Sequence, residues 1–326
     1  MENFRFYEIT VGVLAGLFAA IVGIVITSIA NIAPYLSFFL GCFISLPIFV
    51  SAFSLGTLSS LAALISATAI LVTTNSVYIG FSFMLLFFLP AVYASWLLGL
   101  AKPTQEKNSL IWYPLSSVIF LLTNFIALIS TFIGFYIQNH PNTPIIAQEI
   151  AENVVQAMRQ SKSIDENDIL AFSDLITTHI ATLTAIALVI YSLIFLIGNL
   201  YFSIIIAQRM KWLARPRDDW RQTFRLPISG LAIFIIICIT SVIEFGSIFD
   251  LSICVFTTAY TIIISISGLA YLHNITQGIN SRIIILSLVY IAILTVVFAP
   301  PIFFVILLMG IWATIQYNNQ SLDRLY

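Results

Sequence analysis

The chain has 326 residues, 60% of them hydrophobic and only 8% charged, with a net charge of −1. Soluble globular proteins carry about 25% charged residues, so the composition excludes an ordinary water-soluble domain. It also argues against nucleic acid as a partner, because there is no basic excess, no zinc-type cysteine cluster and no interleaving of aromatic and basic residues.

A helix needs about 20 apolar residues to cross a hydrocarbon core of roughly 30 Å. The sequence predicts ten such segments, at 9–30, 35–53, 57–73, 78–101, 112–137, 179–207, 228–247, 251–272, 283–298 and 302–316. The first is longer than the apolar stretch of a signal peptide and is read as a retained span. It carries Gly12, Gly16 and Ala20 at four-residue spacing, with Ala15 and Ala19 as an adjacent pair. Small residues so spaced let another helix approach closely, either from the same chain or from a membrane partner subunit. Segment 57–73 reaches only about 25 Å and is expected to stand nearly upright or to be partly re-entrant.

The fifth and sixth segments enclose the acidic stretch 138–178. Pro144 suits the start of one amphipathic helix with an apolar stripe of Ile146, Ile150, Val154 and Met158. Ser163 and Glu166 have the spacing of a capping box for a second. Two helices lying on the outer surface, or a lid over an outward cavity, are the two readings of this stretch. After the sixth segment comes a basic loop, 208–227, with Arg209, Lys211, Arg215, Arg217, Arg221, Arg225, Trp212 and Trp220. Basic side chains there suit membrane-lipid headgroups or a partner, and tryptophan favours the interface. Glu244 and Asp250 flank the turn before the eighth segment, and Ala299, Pro300 and Pro301 divide the last two into a short hairpin.

Taken together these elements predict an all-α transmembrane bundle of about eight full spans plus the Pro-broken hairpin. With both termini in the cytoplasm, only Arg159 and Lys162 of the 13 basic residues fall outside. Three regions are expected: a membrane bundle over 1–137, extracytoplasmic helices over 138–178 and a second bundle over 179–326. Cys42, Cys238 and Cys254 lie in separate apolar runs and read as small buried hydrophobes.

Polar groups inside a bilayer are functional candidates by default, which singles out Asn124, Asn199, Glu244 and Asp250 for a small-molecule ligand. Interhelical hydrogen bonding is the plainer role for the two asparagines. The three histidines, 140, 179 and 273, are split between the two sides and do not read as a metal site. There is no HExxH, no GxSxG, no Walker-type loop and no pair of intramembrane aspartates, so neither an enzyme nor a cofactor is expected.

Arg225-Leu-Pro opening a span, then Gly268-Leu-Ala-Tyr-Leu-His, Arg282 and the Pro-broken hairpin resemble the YybS-like family of bacterial membrane proteins. Ser267 stands where that family tends to carry Gln. The resemblance covers nearly the whole chain and implies a bacterial cytoplasmic membrane; the family has no established catalytic residues to carry over. From Gly16 through Pro34, Gly41, Leu46-Pro47 and Gly56 to Ala69, the chain is similar to the substrate-binding S-components of energy-coupling-factor transporters. That likeness implies small-molecule binding and docking of a coupling subunit on Ala15 and Ala19. The alternative is a non-catalytic envelope assembly factor acting through the basic loop.

Overall fold

The computed structural model describes residues 2–103, 110–160, 165–216, 218–243, 246–295 and 299–323. Apolar runs of this length become helices because a lipid environment offers the backbone no other hydrogen-bond partners. Among the described residues, eight helical segments are long and apolar enough to cross a membrane: Arg5–Ile29, Pro34–Leu55, Thr57–Thr74, Val77–Leu98, Leu115–Asn139, Glu166–Arg209, Ser247–Ile275 and Pro301–Asn319. Large apolar side chains such as Phe18, Ile65 and Phe132 project outward along them, where lipid would replace water.

Helix α1 (Glu2–Ile29) is followed by α2 (Pro34–Gly41) and α3 (Leu46–Leu55), which share the second span, and by α4 (Thr57–Thr74). The small-residue stripe of α1 is used inside the chain. A Cβ at Gly12 would collide with the Ser59 carbonyl, and one at Gly16 with the Ala63 carbonyl. Further along, Asn75 donates to Thr27 at 2.6 Å, so α1 and α4 run parallel over their whole length. Ala19 and Ala20 are fully buried and Ala15 is half-buried. This chain's own helices therefore already cover most of the stripe. α4 is an unbroken 18-residue helix rather than a re-entrant segment.

The fourth span consists of α5 (Val77–Phe83), a π-helical turn over Met84–Phe88 and α6 (Leu89–Leu98). It ends three residues earlier than the sequence predicts, because residues 101–103 pair antiparallel with 110–112 as strands β1 and β2. The fifth span is α7 (Leu115–Asn139).

The acidic stretch differs from expectation. Helix α8 (Thr143–Gln160) starts at Pro144 as predicted, but it rests on its neighbour through Ala147 and Ala151, leaving Ile146 and Ile150 exposed. Alanine permits a closer approach than isoleucine, so the contact face shifts by one residue. The second helix is no separate element. It begins at Glu166, with Asp165 rather than Ser163 in the N-cap position, and continues into the membrane as α9 (Glu166–Arg209). Ser163 lies outside the described residues. The φ of −115° at His179 marks a kink where the extramembrane part meets the span.

Beyond the basic loop, with its single-turn helix α10 (Trp220–Thr223), come α11 (Ile228–Thr240), α12 (Ser247–Ile275), α13 (Arg282–Leu294) and α14 (Ala299–Asp323). The expected full span at 228–247 is only 13 residues of helix, about 20 Å long. The Thr240 and Ser241 hydroxyls bond back to carbonyls three residues upstream and compete with helix continuation. The C-terminal pair is also redrawn. Ala299, Pro300 and Pro301 do not sit in the break; they form the first turn of α14, where a missing N–H leaves nothing unsatisfied. The helix instead stops at Leu294.

α12 and α14 cross at a pair of glycines. A Cβ at Gly268 would strike the Ile306 carbonyl, and one at Gly310 the Ile264 carbonyl. Asn318 near the end of α14 bonds the Leu226 carbonyl and the Ile228 amide beside the start of α11, so α14 runs parallel to α12 and α13 returns between them. Arg215 donates to the Leu98 and Tyr113 carbonyls at 3.2 Å each, so the loops around 99–114 and 210–227 share one end of the bundle, the basic face. α8 and the start of α9 lie at the other, the acidic face.

Candidate functional site

The second span is discontinuous. Pro47, two residues into α3, has no amide hydrogen, and its ring crowds the carbonyl of residue 43, so a helix cannot run through residues 42–45. The chain passes through them in tight turns whose amides reach back three residues, from Cys42 to Phe39 at 3.1 Å and from Ile44 to Gly41 at 3.2 Å. The fourth span is irregular opposite this break. Pro90 follows the π-helical turn, and the Phe87 carbonyl accepts from the Ser45 hydroxyl at 3.2 Å.

Asn199 comes to the break from α9. It is fully buried, and its amide nitrogen donates to the Phe195 carbonyl at 2.8 Å and, at the 3.5 Å limit, to the Gly41 carbonyl ending α2. Its side-chain oxygen has no partner among the described residues. A buried polar atom left unpaired costs about 1–3 kcal/mol, so this one stands out as unfinished hydrogen bonding.

Next to the break is a cavity of about 300 Å³, bounded by α1, α2, α5, the π-helical turn and α9. Its walls are aromatic: Phe38 lies 5.0 Å from Phe195 and 5.7 Å from Tyr191, and Phe83 lies 5.6 Å from Phe87. Among the described residues no charged one lines it. Gly41 belongs here for steric reasons, since a Cβ would enter the Phe195 ring. The cavity sits at the small end of ligand sites, and its lining suits a neutral, largely apolar molecule.

The other sequence-derived candidates do not converge on this place. Asn124 is satisfied between two helices, donating to Phe120 at 2.8 Å and accepting from the Tyr260 hydroxyl at 3.1 Å. Asp250 lines a cleft of about 670 Å³ at the acidic face together with His140 and His179. Among the described residues no three metal-ligating side chains come together. Glu244 lies outside the described residues.

The basic loop is also divided. Arg209 and Lys211 are exposed, whereas Arg217 lies outside the described residues. Arg215 is buried and tied to two carbonyls and, at 2.7 Å, to Asp218. Burial lowers the Arg215 pKa and raises that of Asp218, so desolvation outweighs their mutual attraction. Arg221 grips Asp219 with two hydrogen bonds, at 2.9 and 3.0 Å. Arg225 is buried, and Trp220 packs against Tyr201 at 5.1 Å. Arg215 and Arg225 are therefore buried rather than on the surface as the sequence suggests; long cationic side chains find carbonyls when the loop folds back on the bundle.

The break itself is the element that sequence reasoning missed. Leu46-Pro47 and Leu89-Pro90, each near the middle of an apolar run, were the available signals. No protein-family model matches the chain, and neither does a curated protein or a solved structure. Its fold alone defines the class: a multi-pass, all-α integral membrane protein.

Proposed function

We propose that this protein binds a small, neutral, largely apolar molecule at the broken second span, in a transport-related role. The observation that carries the reading is an uncharged cavity lined by Phe38, Phe83, Phe87, Tyr191 and Phe195 beside a mid-span helix break. Discontinuous helices at the bilayer midplane are where secondary transporters hold their substrates, because free helix ends supply polar contacts that a continuous helix cannot. Here Asn199 would hold the Gly41 and Phe195 backbone of the cavity wall in place, and the rings around Phe195 would supply contact area. The likeness to energy-coupling-factor S-components points the same way. Docking of a coupling subunit would need a surface other than Ala19, which is fully buried.

The test is a thermal-shift panel of neutral aromatic and aliphatic compounds on the full chain in mild detergent. Ala30, an exposed residue on the cavity rim, is replaced by Trp to plug the opening. Compounds that stabilise the wild type are expected to leave Ala30→Trp unmoved. Equal shifts in both proteins, or none across the panel, would reject the site.

A further inference from the structure

Arg225 is 3% exposed and makes no ion pair among the described residues. Its guanidinium donates instead to three carbonyls: Phe224 at 2.7 Å, Ser267 at 3.3 Å and Arg221 at 2.8 Å. The guanidinium carbon also stands 5.7 Å from the centre of the Tyr271 ring. Carbonyls and a ring face supply dipoles but no counter-charge, and a buried charge without one is costly. Burial pulls the Arg225 pKa down to about 10, with Tyr271 and Tyr317 offsetting only part of the effect.

Beside this cation lies an open cavity of about 540 Å³, bordered by α10 and its link to α11, the end of α12 and the end of α14. Its walls carry the amides of Gln222, Asn274 and Gln316 and the hydroxyls of Tyr271 and Tyr317, and among the described residues no carboxylate lines it. A guanidinium has five N–H donors, and the three carbonyl bonds leave two of them uncommitted. A fixed positive charge, spare donors and neutral amides make up the recognition chemistry of an oxyanion.

We infer that this basic-face cavity binds a phosphate-type oxyanion, with Arg225 as its charge partner and Asn274 and Gln316 as supporting donors. The phosphate can come from solution or from the headgroup of a membrane lipid, since the cavity lies where α11 and α12 reach the end of the bundle. This site is separate from the broken span and does not depend on the function proposed for it.

The experiment follows thermal unfolding of the full chain in neutral detergent in two arms. One titrates inorganic phosphate against chloride at matched ionic strength, and the other titrates phosphatidylglycerol against phosphatidylcholine. A saturable rise in midpoint is expected in at least one arm, and the arm that saturates at the lower concentration identifies the source. Arg225→Gln is expected to abolish the rise. That variant also loses the carbonyl ties, so if it fails to fold, the double variant Asn274→Leu with Gln316→Leu, which keeps them, decides the matter. It should raise the half-saturating concentration at least tenfold. No saturable rise in either arm, or unchanged half-saturation in the double variant, would overturn the assignment and leave Arg225 as a structural tie only.

Discussion

Asn124 and Asn199 both sit midway along apolar helices, and only their surroundings separate them. The Asn124 amide is used at both ends, by Phe120 and Tyr260, whereas the Asn199 oxygen is idle among the described residues. Replacing Asn124 with Leu should therefore lower stability by about 0.6 kcal/mol, the usual worth of an interhelical hydrogen bond in a membrane. Chemical denaturation in mixed micelles would measure it. Asn199→Leu should be neutral or slightly stabilising, because it removes a buried unsatisfied oxygen, yet it should weaken ligand response at least tenfold in the thermal-shift panel. A loss of stability without loss of response would mark Asn199 as a packing residue. Both asparagines were legible in the sequence as polar groups in apolar runs. What distinguishes them was not, since partners such as Tyr260 are 136 residues away.

At the scale of elements, the helices were legible because apolar length alone dictates them, and their interruptions were less so. Pro47 and Pro90 break or bend their spans at points that hydropathy averages over. Pro300 and Pro301 were given too much weight: two prolines in a first turn start a helix as readily as they end one. The turn over 42–45 has i−3 hydrogen bonds, so its amides should exchange with deuterium much faster than those of the neighbouring α4. Equal protection in a hydrogen-exchange experiment would mean a continuous second span. The glycine seam between α12 and α14 yields a second expectation. Gly310→Leu drives a side chain into the Ile264 carbonyl and should destabilise by more than the roughly 1–3 kcal/mol of ordinary overpacking. Ala313→Gly, one turn along, should cost about 1 kcal/mol or less by helix propensity. Denaturation midpoints of the two variants would separate these outcomes.

For the whole molecule, the clustering of basic residues already implied that the loops before α7 and after α9 share one face, and the Arg215 bonds to Leu98 and Tyr113 place them together. α9, like α7, packs on both the N-terminal helices and α12, and it runs from beside the broken span to the basic face. Its residues Phe195 and Asn199 face the break, while Ile197 and Tyr201 face a large cleft of about 840 Å³ next to the basic loop. The central claim, that the uncharged cavity at the broken span holds a small molecule, is most directly tested by mass spectrometry of what is released from protein extracted from native membranes. Wild type is expected to release a neutral, largely apolar compound in near-stoichiometric amount, and Ala30→Trp is expected to release none. The same compound recovered equally from both, or nothing from either, would contradict the claim.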